Sequence, residues 1–392
     1  MRQKNVLQNE TIDLFGTDSA QGLPPIIKWP GGKESELPYI RKFLPTSYKN
    51  FYEPFVGGGS VFMSMNAEHF FINDKSQELI SLYSSIGSRN NDFFSLIDDI
   101  SLSWKNLLDF VKKNIKYINL YVSFRTGTKE DLLATIETYL EQDAKTLQSC
   151  IPKTFLWHRD IFEKELHINL SRKLQRMKKL ETEKGTMPDS DVFDNVETAF
   201  MSSLYMYYRA LHNDKELTSS NKNLATALFV FIRNYAYSGM FRYNDKGDFN
   251  VPYGGIAYNH KLLDKKQTFY KSEAVKAHFS KTTIFNLDFE DFFKKSNPSN
   301  DDFIFLDPPY DSEFSTYAQN IFGREEQTRL ANYLTNQCKA KWMMIIKNTP
   351  FIMSLYEGKG LNIQAFGKKY LVSFMNRNDK DVEHLIIMNY SK

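Results

Sequence analysis

Apolar positions change their spacing twice along the chain. Between Ile26 and Tyr83, short apolar runs are broken by glycine and polar turns. Phe51–Val56 closes on Gly57-Gly58-Gly59-Ser60, His69–Asn73 ends at Asp74, and Leu79–Tyr83 continues at helical spacing. This order predicts loop, strand, Gly-rich turn, helix, strand and helix, the alternation of a parallel α/β sheet. From residue 90 to 222 apolar residues recur at three and four instead: Phe94, Leu96, Ile97 and Ile100, then Leu132, Leu133, Ile136, Tyr139 and Leu140. That period predicts helices. The basic stretch Arg172–Lys179 is expected on one exposed helix; a solvated face is the simpler reading and a phosphate-contacting surface the other. Between Met240 and Tyr253 two aromatic and polar runs flank Asn244-Asp245-Lys246-Gly247, which predicts a hairpin. Alternation then resumes, with strands at Thr283–Phe285 and Phe303–Leu306 and helices near Asp288–Phe293 and Arg324–Lys339. Three strands follow, at Trp342–Ile346, Leu361–Ala365 and His384–Met388.

The pattern therefore reads as an α/β sheet interrupted by an insertion. Residues 1–22 are expected to be a flexible arm, 23–89 and 266–392 the catalytic domain, and 90–265 an inserted domain of helices plus the hairpin 240–253. Composition narrows the class. With 42% apolar and 25% charged residues among 392, the chain is not disordered throughout. The best apolar run, Ala225–Ile232, is far short of the ~18 residues that span a bilayer, so no membrane partner is expected. Met1–Gly16 lacks the pattern of a secretory signal. Two cysteines make neither a disulfide framework nor a metal site, and a cytoplasmic location is expected. A net charge of +3 selects no partner by itself.

Three motifs carry chemistry. Glu53-Pro54-Phe55-Val56-Gly57-Gly58-Gly59-Ser60 follows a strand, and Asp74 ends the next one 21 residues later. A glycine turn lets a ligand lie against backbone N–H groups, and an acid at the next strand end can grip ribose hydroxyls; a spacing of about 20 residues is that of nucleotide folds. The glycines do not follow G-x-G-x-x-G, which points to an adenosine ligand without phosphates; a plain capped turn is the competing reading. Leu306-Asp307-Pro308-Pro309-Tyr310 follows the apolar run Phe303-Ile304-Phe305. A Pro-Pro pair can simply stop a strand. The chemical reading is more specific: the lone pair of an exocyclic base amine is delocalised into its ring, and a carboxylate with a rigid carbonyl beside it can accept both N–H groups. Asp307 and the Pro308 carbonyl would do so, while Tyr310 offers a face for stacking a base. The third motif, Lys28-Trp29-Pro30-Gly31-Gly32-Lys33, could place Trp29 against a ligand and Lys33 beside a carboxylate; alone, it is an ordinary packed loop.

Taken in order, K-W-x-G-G-K, E-P-F-x-G-x-G-S, N-D, R-Y-N-x-x-G-x-F-N-V-P-Y-G and D-P-P-Y resemble the Dam-type (D12 class) DNA adenine N6-methyltransferases over Ile26–Tyr83, Phe231–Tyr253 and Thr283–Tyr390. The resemblance implies a Rossmann-like sheet dependent on S-adenosylmethionine, with a target-recognition insertion and a flipped adenine in a short duplex DNA site. It implies S-adenosylmethionine contacts at Trp29, Lys33, Glu53, Phe55, Gly57, Gly59, Asp74 and Asp307. Catalysis would lie with Asp307, Pro308 and Tyr310. DNA contacts would come from Arg242 on a guanine, Tyr237 as a wedge, Met240 near the flipped base, Tyr243 and Asn250. Asn376-Arg377 and Glu383–Ile386 resemble the family's closing segment. Double-stranded DNA is the implied partner, with a cognate restriction endonuclease acting on the same site, a monomer or weak dimer, and no metal. Two departures stand out. The stretch from Asp74 to Tyr237 is much longer than in compact members, so residues 90–190 look like an added module. Ser238 also stands where GATC-specific members carry an amide, so GATC specificity does not carry over. Amide and N4-cytosine methyltransferases usually begin their turn with Asn or Ser rather than Asp307, and a silent DNA-binding relative would need a broken site.

Overall fold

The computed structural model describes residues 22–125, 127–155, 157–310, 322–369 and 381–391. Residues 1–21 of the expected arm and Asn376-Arg377 lie outside those residues.

Seven strands form one sheet: β1 (Asn50–Glu53), β2 (His69–Asn73), β3 (Thr282–Phe285), β4 (Phe303–Leu306), β5 (Lys341–Lys347), β6 (Asn362–Lys369) and β7 (Asp381–Met388). Their order is β3-β2-β1-β4-β5-β7-β6, and only β7 runs against the rest. The expected strands are all present. β1 is shorter than its apolar run, because Pro54 cannot donate to the ladder.

Strand alternation explains why the sheet is covered on both sides. Phe51, Phe303, Phe305, Met343 and Ile345 point into one buried cluster, whereas Tyr52, Ile304, Leu306, Trp342 and Met344 point into another. Every residue of β4 is buried, as expected of a central parallel strand reading Phe-Ile-Phe-Leu. The first cluster continues without a break into the insertion, reaching Trp104, Leu166 and Tyr208. Insertion and sheet therefore share one core. Both cysteines are free, and burial pushes each thiol to about 11.

Between residues 90 and 235 the structure is helical, with long members at Asn91–Lys113, Lys129–Ser149, Arg159–Lys184, Asp189–Asn213 and Lys222–Tyr235. The basic stretch lies on Arg159–Lys184 but is not one exposed face. Leu174 and Met177 are buried, and Lys178 Nζ donates to the carbonyls of Phe124 (3.1 Å) and Gly127 (2.7 Å), closing the end of helix Lys116–Phe124. Arg172, Arg176 and Lys179 remain exposed.

The hairpin reverses where expected. Gly247 adopts φ +78°, and Asn244 Oδ1 accepts from the amides of Lys246 and Asp248. No regular ladder forms; only the bridges Tyr243–Phe249 and Ala236–Tyr253 pair the arms. The second arm is paired with a helix instead. Asn213 accepts from the Phe249 amide at 2.8 Å and donates to its carbonyl at 3.0 Å, as a neighbouring strand would, while Tyr205 and Arg209 both donate to the Val251 carbonyl. The long insertion thus braces the hairpin.

Candidate active site

Sheet order reverses between β1 and β4, and in open parallel sheets ligands bind beyond the carboxyl ends of the strands at such a point. A cavity of about 520 Å³ lies there. Its wall gathers Trp29 and Lys33 from the first loop, Glu53 and Phe55 from the end of β1, and Gly57 and Gly58 from the turn. Asp74 follows β2, and Asp307, Pro308 and Tyr310 follow β4. Three motifs spread over 280 residues of sequence meet in one space.

The glycine turn is built around close approaches. Gly57 has φ +50°, its amide donates to Asp74 Oδ2 at 3.0 Å, and its carbonyl accepts from the Tyr83 hydroxyl at 2.9 Å. Asp74 Oδ1 accepts from the Ser76 amide at 2.9 Å. Burial raises the Asp74 carboxyl, and the Ser76 and Gly57 amides oppose it. Gly59 sits behind the turn against Tyr83, while Gly58 lines the cavity in its place.

Asp307 forms an ion pair with Lys33, whose side chain is 3% exposed and also donates to the Gly31 carbonyl at 3.0 Å. The expected carboxylate partner of Lys33 is thus Asp307 itself. Gln327, fully buried, donates to the Pro309 carbonyl at 2.9 Å and holds the turn. The Tyr310 ring stands edge-on to His384, 5.4 Å between centroids, with Lys33 Nζ 5.8 Å from its centre. Glu383 of the closing segment pairs with Asn348.

Glu53 is 2% exposed, and its Oε2 has no hydrogen-bond partner among the described residues. Burial, and then the Asp307 charge, raises its carboxyl well above the usual 4.5. Such an acid binds its proton more tightly in the folded than in the unfolded chain. The stability this gives is complete below the unfolded value and fades as pH rises through the folded one. As pH rises from 4.5 through the raised value, Glu53→Gln is therefore expected to lose less stability than the wild type. Urea denaturation at several pH values measures this, and parallel pH curves would refute it.

Several wall residues were not foreseen. Leu287 and Asp288 follow β3, and buried Asn73 positions them by accepting from the Leu287 amide at 2.9 Å and donating to its carbonyl at 3.1 Å. Phe241 arrives from the hairpin, 5.2 Å from Trp29. The acid after β3 had a signal, Asn-Leu-Asp-Phe at a strand end; Phe241 had none.

The residues expected to meet DNA sit on or beside the hairpin. Tyr237 is 46% exposed on a turn where Ser238 and Gly239 have φ +52° and +63°. Arg242 is exposed, and its Nε donates to Asn250 Oδ1 at 2.8 Å. Met240 is partly buried against the core. Tyr243 turns inward, donating its hydroxyl to Glu78 at 2.9 Å.

Among the described residues no helix is long and apolar enough to cross a membrane, and no group of three His, Cys, Asp or Glu is placed to hold a metal ion. Comparison with known proteins agrees with the geometry. The chain is 25% identical to Type II methyltransferase M.CviBI of Paramecium bursaria Chlorella virus NC1A, over 94% of this chain and 100% of that protein. It is 25% identical to Type II methyltransferase M.MjaIII of Methanocaldococcus jannaschii, over 93% and 99%. It is 23% identical to the DNA adenine methylase of Haemophilus influenzae, over 85% and 83%. The model of one family matches residues 29–150 and 168–371. That match takes in most of the long helical insertion, which is therefore not foreign to the family. With its motifs converging on a single cavity and the match running from Trp29 to Leu371, the chain belongs to the D12 class of N6 adenine-specific DNA methyltransferases.

Proposed function

We propose that this chain binds S-adenosylmethionine in the cavity and methylates N6 of an adenine swung out of a short duplex DNA site. The observation that carries this reading is the meeting of Trp29, Glu53, Asp74 and Asp307 around one space at the sheet's switch point. The residues suit the group. A turn without side chains admits a close ligand, Trp29 offers an apolar face, and Asp74 retains acceptor capacity for ribose hydroxyls. Buried Glu53 offers an oxygen lacking a partner. When bound, S-adenosylmethionine supplies a methyl group on an electron-poor sulfonium.

The chain's own work is orientation. Asp307 and the Pro308 carbonyl hold the two N6 hydrogens, drawing the nitrogen lone pair out of the ring, and Tyr310 stacks on the base. Lys33 pairs with Asp307 and holds its carboxyl in place as an acceptor of hydrogen bonds. The surplus proton passes from N6 to water after transfer. Flipping costs a few kcal/mol of pairing and stacking, which contacts in the cavity offset.

On the DNA side, Tyr237 is the wedge and Met240 an apolar neighbour of the gap. Asn250 holds Arg242 through Nε, which keeps the two Nη groups at the tip for a guanine edge. Tyr243 acts by anchoring the hairpin to Glu78. Arg242→Ala is expected to relax base choice at one position by ~1–3 kcal/mol; uniform weakening on every sequence would mark a phosphate contact instead. The similarity to two proteins named Type II methyltransferases supports a restriction endonuclease partner acting on the same site. A cytoplasmic monomer or weak dimer fits this role.

Incubation with labelled S-adenosylmethionine and duplex DNA, followed by digestion to nucleosides, tests the proposal. Label is expected in N6-methyl-2′-deoxyadenosine; label in N4-methyl-2′-deoxycytidine, or only in protein, overturns it.

A further inference from the structure

We propose that Arg233 is a positioning residue shared by both binding sites, tying the cofactor-side loop to the base of the DNA hairpin so that occupancy of one site raises affinity at the other. The inference rests on the function proposed above. Arg233 lies in the last turn of helix Lys222–Tyr235 and is 2% exposed. Its Nη1 donates to the Met240 carbonyl at 2.9 Å and its Nη2 to the Lys28 carbonyl at 3.0 Å. Lys28 belongs to the first motif, and Met240 opens the hairpin. The guanidinium also lies over the rings of the residues that follow, 4.7 Å from Phe241 and 5.4 Å from Trp29. Both rings line the cavity.

A second tie runs beside the first. Glu78 accepts from the Tyr243 hydroxyl and sits in the first turn of helix Gln77–Gly87, whose N-cap Ser76 is held by Asp74. The Arg233 charge is felt at Glu78 as well. The first arm of the hairpin is thus fastened to the loop and helix that bound the cavity, whereas the second arm is fastened to the insertion helices.

The chemistry explains why this should couple the sites. A planar guanidinium with two Nη groups can serve two carbonyls at fixed angles, which an ammonium does not reproduce. In a buried, low-dielectric setting both charge-assisted bonds are strong, and displacing either carbonyl breaks one of them. Ligand contacts that hold Trp29 therefore favour the hairpin position that suits DNA, and the reverse follows by linkage.

The test measures S-adenosylhomocysteine affinity by calorimetry, with and without unmethylated plasmid DNA, on the full chain. DNA is expected to tighten wild-type binding by about fivefold or more. Arg233→Met should bring that ratio close to one, and Tyr243→Phe should lower it in part. A folded Arg233→Met protein that keeps the wild-type ratio overturns the proposal. If that variant does not fold, Arg233→Lys and Tyr243→Phe decide: an unchanged ratio in both overturns it. A wild type that methylates DNA yet shows a ratio of one overturns the coupling alone. A wild type that transfers no methyl group to DNA overturns the function and this inference with it.

Discussion

Asp307→Ala is expected to lower methyl transfer to DNA by about 10³-fold or more while DNA binding through the hairpin persists. The reason is positional. Asp307 follows β4, in a cavity wall shared with Trp29, Glu53 and Asp74, and it pairs with Lys33. The alanine variant removes the acceptor for an N6 hydrogen and also strands an ammonium that is 3% exposed. Breaking a buried pair by removing one partner costs ~3–5 kcal/mol, less here because Asp307 keeps 21% of its surface. Asp307→Ala should therefore melt earlier than the wild type. Asp307→Asn keeps the shape and loses the charge, and adding Lys33→Met should restore stability without restoring transfer. Label incorporation and thermal melting separate the two effects. Wild-type turnover in Asp307→Ala would remove the acceptor role altogether.

The second large effect is expected at Gly58. Its amide carbonyl accepts from Ile26 at 3.0 Å, so the glycine turn and the first-motif loop lie back to back. A methyl on Gly58 would press into the Ile27 carbonyl and reach 2.9 Å from Trp29 Cβ. Both neighbours are backbone or close to it, so the loop must move. Overpacking of this kind costs ~1–3 kcal/mol. The variant should therefore melt earlier than the wild type, and because the displaced residue is Trp29, its S-adenosylhomocysteine affinity should fall as well. Gly367→Ala on β6, where no atom of the described residues lies within 4 Å of the added methyl, is the control. Equal affinity in both variants would dissociate the turn from ligand binding.

Much of this site was legible in sequence because its chemistry is local. A strand end followed by Gly57-Gly58-Gly59, an acid closing β2 and Asp-Pro-Pro-Tyr closing β4 each declare themselves within eight residues. What escaped notice depends on distance. Lys33 was readable as the partner of some carboxylate, but 274 residues separate it from Asp307. Tyr243 looked like a DNA contact by its place in the hairpin, yet its hydroxyl serves Glu78. Lys178 looked like part of a basic face, yet it caps a neighbouring helix.

Strand and helix order, the sheet's interruption and the place of the Asp-Pro-Pro-Tyr turn at the end of a strand follow from the sequence by itself, since residue period and turn chemistry act over a few neighbours at a time. Tertiary structure alone decided which groups share a charge, a carbonyl or a wall: Asp307 with Lys33, Met240 and Lys28 with Arg233, Phe241 with Trp29. Those pairings arise when the two faces of β1, β4 and β5 are buried against helices far away in the chain, and a one-dimensional pattern records what each residue prefers without recording what comes to lie beside it.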